Sequence, residues 1–146
     1  MNIRSRSDRF EMVAACDESS LVELAESVLD SDVEVEVLQE PKPQLVMQRV
    51  EEPVEAKPFN LGEVLVTAAE VEIEGEKGFA MVAGKAKRKT LSGAIVDAAV
   101  EAELPEVNEA EEVLEAGIAD RKQRRSTQWS ESRATAVEFE SMEDEL

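Results

Sequence analysis

Apolar positions recur at helical spacing in the first thirty residues and at strand spacing after that. Over residues 9–15, Phe10, Val13 and Ala14 share a helical face. Leu21, Leu24, Ala25, Val28 and Leu29 then follow the i, i+3, i+4, i+7, i+8 order of an amphipathic helix that Val22 widens. Ser19 or Ser20 supplies its cap, and Glu23 falls early in its first turn. From Asp32 the period changes to two, with Val33, Val35 and Val37 alternating with Glu34 and Glu36, as in a strand with an acidic solvent face. Pro41-Lys42-Pro43 reads as a turn, since proline gives no N–H to a ladder. Residues 45–50 make a second strand, and 51–60 a loop holding Pro53 and Pro58. Residues 64–74 form a third strand with Ala69, Val71 and Ile73 inward and Glu70, Glu72 and Glu74 outward. A turn at 75–78 returns the chain as a fourth strand over 79–83.

Beyond Gly84 a basic run enters a helix whose stripe is Leu91, Ala94, Ile95, Ala98, Ala99 and Ala102. Val96 and Val100 widen that stripe, so the helix is expected to be covered on two sides. Leu104-Pro105 ends it. Val107, Ala110, Val113, Leu114 and Ile118 mark the next helix, with Gly117 as a point of interruption. Over residues 120–133 Trp129 is the main apolar residue. Residues 137–139 alternate like a short strand or extended arm, and 141–146 form an acidic tail. The expected fold class is α+β: an antiparallel four-stranded meander packed with helices, two short N-terminal helices and a long C-terminal helical region. One domain is expected over 1–146, folded over 9–142, with the basic residues 1–8 and the acidic residues 143–146 flexible.

Composition then removes whole classes of chemistry. The chain has no His, no Tyr and one cysteine, Cys16. Without His there is no Ser-His or Cys-His nucleophile pair and no His-ligated zinc; with one Cys there is no internal disulfide and no multi-Cys metal site. Cys16 ends the apolar run from Met12 and reads as a small buried hydrophobe. No catalytic residue and no metal ligand is assigned. Acidic residues number 34 against 16 basic, a net charge of -18. Such a surface repels nucleic acid and anionic membranes. No apolar run approaches a membrane span, and the N-terminus lacks the apolar segment of a secretory leader, so a cytoplasmic location is expected. The acidity serves either solubility or a cytoplasm rich in salt.

Against that background the basic residues are unevenly placed. Eleven of the sixteen fall in three islands: Arg4, Arg6 and Arg9; Lys85, Lys87, Arg88 and Lys89; Arg121, Lys122, Arg124 and Arg125. In so acidic a chain these clusters point to an anionic neighbour. Gly84, Lys85, Lys87, Arg88 and Lys89 lie where a strand turns into a helix, a place where free N–H groups and lysines can meet a phosphate. A phosphate-loop motif is absent, however, and solvent, the chain's own Glu-rich faces and a partner chain remain open alternatives. Arg121, Arg124, Arg125 and Trp129 mark an interface helix, with Arg125 and Trp129 spaced to stack. Asp97, set among Ala94, Ile95, Val96, Ala98 and Ala99, needs a partner, and a structural ion pair or a hydrogen bond to a neighbouring loop is favoured over catalysis.

The stretch GFAMVAGKAKRKTLSGAIVDAA, with Gly84, Lys85 and Asp97-Ala98, resembles the corresponding region of the PhnG family, subunits of the carbon-phosphorus lyase system. The ending RATAVEFESM, with Thr135, Val137, Phe139 and Met142, is similar to that family's ending, and the N-terminal helices and the PFNLGEVLVTAAEVEI strand fall in its order. The resemblance spans most of 9–142; Ala86 and Glu140 depart from it, standing where the family commonly has an acid and an aromatic. It implies a role in phosphonate breakdown beside PhnI, PhnH and PhnL, which displace adenine from ATP by a phosphonate to give a ribose 1-phosphonate 5-triphosphate. The same core complex contains PhnJ, which cleaves the C–P bond. A PhnI-like subunit is the first expected partner. Mg-ATP is then a substrate of the complex, with no cofactor assigned to this chain, and Thr135, Val137 and Phe139 join the interface candidates. Lacking catalytic side chains, the chain is expected to be a scaffold; the alternative is a free-standing anion-binding or regulatory acidic module.

Overall fold

Ser5 and Asp17 start the first two helices, each side chain accepting a backbone N–H of the first turn, from Asp8 at 3.4 Å and from Ser20 at 3.0 Å. The cap of the second helix is therefore Asp17 rather than Ser19 or Ser20. The computed structural model describes residues 1–144, with side chains as far as Arg133. Its elements run α1 (Arg6–Ala15), α2 (Glu18–Asp30), β1 (Val35–Glu51), β2 (Pro58–Ile73), β3 (Glu76–Ala83), α3 (Lys87–Glu101) and α4 (Val107–Asp144).

The sheet has three antiparallel strands in the order β1-β2-β3, which corrects the expected four. Pro41 and Pro43 do not divide the chain: β1 continues through them for 17 residues, joining what reads as two strands. It can do so because β1 is an edge, where an absent N–H can face outward. The register shift between Gln39 and Lys42 takes in Pro41, while Pro43 keeps its place opposite Thr67. The β2–β3 turn is tighter than expected. Ile73 pairs with Glu76 across Glu74 and Gly75, whose φ values of 51° and 81° make the two-residue turn that suits strand twist.

β3 pairs only with residues 66–73 of β2, so the remainder of β2 and its β1 partners project as a two-stranded arm. On the body, Ala69, Val71, Ile73 and Ala80 form the inner face, and α3 lies across it with α2 on its other side. The run from Ser92 to Val100 is buried throughout, as the double-width stripe implies. Close approach depends on small residues. A Cβ at Gly78 would clash with the Ala94 carbonyl and the Ala98 amide and would sit 2.5 Å from Ala98 Cβ.

Two further expectations change. In α1 the buried positions are Arg9, Met12, Val13 and Ala15, while Phe10 and Ala14 turn outward, Phe10 meeting Phe79 edge-on at 5.8 Å. α4 is one 38-residue helix: Gly117 does not interrupt it, and residues 137–139 are helical rather than a strand or an extended arm. At the N-terminus Ile3 packs into the core at 4% exposure, which holds residues 3–5 against the body.

Candidate functional site

Two clusters of charged side chains stand out, one inside the fold and one on its surface. Inside, Asp97 of α3 is fully buried and accepts from Arg9 Nε at 2.7 Å, from Arg6 at 3.4 Å and from the Phe79 backbone N–H at 2.9 Å. Arg9, itself 1% exposed, also donates to the Ile3 carbonyl at 2.7 Å and pairs with Glu101. Every polar atom of this pair has a partner, and β3 is an edge strand whose N–H Asp97 takes up. The cluster ties α1, α3 and β3 together, with Arg9 and Glu101 also lining a small recess beside Arg4 and Glu103.

The surface cluster is built by α4 crossing the α1–α2 corner. Gly117 permits the crossing, since a Cβ there would lie 3.1 Å from Cys16 Cα. Residues 121, 124 and 128 follow 117 at i+4, i+7 and i+11 on the same helix face, which carries Arg121, Arg124 and Gln128 over the corner, with Arg125 beside them. Lys89, in the first turn of α3, reaches the same place and donates to the Ala14 carbonyl at 2.8 Å, one of the carbonyls left open at the end of α1. The result is a cleft of about 450 Å³ lined by Ala14, Ala15, Cys16, Asp17, Lys89, Arg121, Arg124, Arg125 and Gln128.

Its electrostatics follow from packing. Burial holds the Lys89 ammonium below its ordinary value, and the Arg124 charge adds to that, against the opposing pull of Cys16, Asp17 and Glu18. Burial pushes the Cys16 thiol up, aided by Asp17 and opposed by Lys89. Asp17 is held below the usual carboxylate range by its hydrogen bonds from Ser20.

The basic residues picked out in the sequence divide between this cleft and the open surface. Lys89 joins Arg121, Arg124 and Arg125, but Lys85, Lys87 and Arg88 are exposed outside the cleft. The Gly84 turn is closed upon itself: Gly84 N donates to the Leu65 carbonyl at 2.8 Å, and the Thr67 hydroxyl donates to Gly84 O at 2.7 Å and accepts from Ala86 N at 3.1 Å. Trp129, next in the chain to the lining residue Gln128, is 66% exposed and is not stacked on Arg125. Thr135, Val137 and Phe139 continue the helical backbone of α4, and their side chains lie outside the described residues.

Two features had no forecast. The Cys16-Asp17 corner enters the cleft only through the crossing of α4, for which the spacing of Gly117 to Arg121 and Arg124 was the available signal. The arm exposes Leu45, Met47, Phe59 and Leu61, the first and last at 62% and 60%. Its signal was the apolar run Leu45-Val46-Met47, which places apolar residues on both faces of a strand.

Among the described residues no helix is long and apolar enough to cross a membrane. A family model described as phosphonate metabolism protein PhnG matches residues 4–143. No curated protein matches the chain.

Proposed function

The chain belongs to the PhnG family of phosphonate metabolism proteins, and from that premise we propose that it is a scaffold subunit of the system that makes ribose 1-phosphonate 5-triphosphate from ATP and a phosphonate, releasing adenine. In this reading its partner is a PhnI-like subunit, with PhnH, PhnL and PhnJ in the wider complex, and the reacting groups around Mg-ATP belong to the partners. The chain contributes position and surface.

The observation that carries the reading is the projecting arm. A two-stranded ribbon on its own is marginally stable in water, and this one displays Leu45, Met47, Phe59 and Leu61 where no other element of the described chain covers them. Large apolar side chains held out from the body on hydrogen-bonded strands suit a docking limb. Trp129 extends the apolar surface on a second element.

Co-expression with the PhnI-like subunit tests it. The two chains are expected to co-elute at physiological and at molar salt, with Phe59→Lys/Leu61→Lys weakening the association at least ~30-fold and Trp129→Ala weakening it less. Separate elution of the unmodified chains at both salt concentrations contradicts the proposal. The same double substitution is expected to abolish adenine release from ATP by the reconstituted system.

A further inference from the structure

Four cations meet at the cleft between α3, α4 and the α1–α2 corner, in a chain whose net charge is -18. Lys89, Arg121, Arg124 and Arg125 line it against one carboxylate, that of Asp17. Asp17 is already engaged, accepting from Ser20 N at 3.0 Å and from Ser20 Oγ at 2.8 Å. Among the described residues Arg121 and Arg125 form no ion pair, and Arg124 has only a long contact of 3.9 Å with Asp120. With 34 carboxylates in the chain, cations gathered together and left without them leave room for an anion from outside.

Size and lining narrow what that anion is. The volume of about 450 Å³ falls in the range of small-molecule sites. Apart from Ala14, Ala15 and Cys16 the lining is polar, and it offers no aromatic or large aliphatic shelf for a peptide side chain. Guanidinium forks match the oxygens of phosphorus oxyanions two at a time. Lys89 Nζ is held in place by the Ala14 carbonyl and has further donors to give.

We propose that this cleft is a binding site for a polyphosphate-class oxyanion, either a free polyphosphate or the phosphate tail of a nucleotide, held by Arg121, Arg124 and Arg125 with Lys89 as the anchored fourth cation. The site is independent of the docking role: the arm and Trp129 are not among its lining residues, and its ligand is recognised by the chain alone. Burial takes part of the water from the Lys89 ammonium, so an adjacent anion offsets some of that cost.

The test is calorimetric titration of the full chain at low salt with tripolyphosphate and, separately, with magnesium-free ATP. Saturable binding of tripolyphosphate at one site per chain is expected. Equal affinities for the two ligands would show that the phosphate chain alone is read, and tighter ATP that a nucleotide is the fuller ligand. Arg121→Gln/Arg125→Gln should weaken binding at least ~10-fold, while Lys85→Gln/Arg88→Gln, which removes the same charge outside the cleft, should bind as the unmodified chain does. Arg125→Gln alone, at an exposed position, should shift affinity in the same direction with an unchanged circular dichroism spectrum. Three results overturn the proposal: no saturation, equal loss in the two double variants, or loss of partner docking with polyphosphate binding intact in the cleft variant. The last would make the cleft a seat for an acidic segment of a partner protein.

Discussion

Asp97 and Arg9 are separated by 88 positions in the chain and by 2.7 Å in the fold. A carboxylate in an apolar run announces that it needs a partner, but nothing local says which of sixteen cations provides it. The answer turns the buried face of α1, keeping Val13 inside but moving Phe10 and Ala14 out, because Arg9 takes an inward position once Asp97 and Glu101 compensate its charge. Asp97→Ala leaves that guanidinium with Glu101 as its one carboxylate and the Phe79 N–H without its Asp97 acceptor, so a loss of about 3 to 5 kcal/mol is expected in urea denaturation. Combined with Arg9→Met, the total should fall well short of the sum of the single losses; strict additivity would show that the pair is not coupled. At Cys16 the sign runs with burial. The folded thiol titrates above its ordinary value of 9.0, so the folded chain keeps a proton that the unfolded chain releases. Relative to Cys16→Ala, stability contributed by the thiol is full below pH 9.0 and is lost as pH rises through the folded value. Urea midpoints of the two proteins between pH 7 and 10 measure this, and parallel curves would contradict it.

Among the elements, strand spacing located the inner face of β2 and helical spacing the Ala-rich stripe of α3, because those patterns report burial on one element at a time. Proline placement misled for a physical reason. A proline ends a central strand but is tolerated on an edge, and edge or centre is a property of the sheet rather than of the segment. The same blindness hid the arm, since only strand order shows that β3 stops at Val66 while β1 and β2 continue. Hydrogen exchange separates these parts. Amides of residues 45–64 are expected to exchange far faster than those of 66–73 in the isolated chain and to gain protection when the partner binds. Equal protection of both segments in the free protein would mean that the arm is not waiting for a partner.

At the scale of the molecule, the net charge of -18 is a sum of two separate distributions. Glu-rich strand faces and helix flanks carry the negative excess, while six of the sixteen cations gather at two places, Arg6 and Arg9 around Asp97 and Lys89, Arg121, Arg124 and Arg125 at the cleft. Salt should therefore act in opposite directions on the two properties. Thermal stability is expected to rise between low salt and molar KCl as repulsion is screened, while polyphosphate affinity falls. A melting temperature that is flat or falling over that range would remove the case for adaptation to a salty interior. Periodicity placed the two N-terminal helices, the inner face of β2 and the Ala-rich stripe of α3, and composition removed His and multi-Cys chemistry, because each of these is a property of neighbours in the chain. The tertiary structure alone decided that two apparent strands are one, that Arg9 belongs inside, and that Lys89 joins the α4 arginines while Lys85, Lys87 and Arg88 do not. Those outcomes depend on distances across the fold, which packing sets and sequence separation does not record.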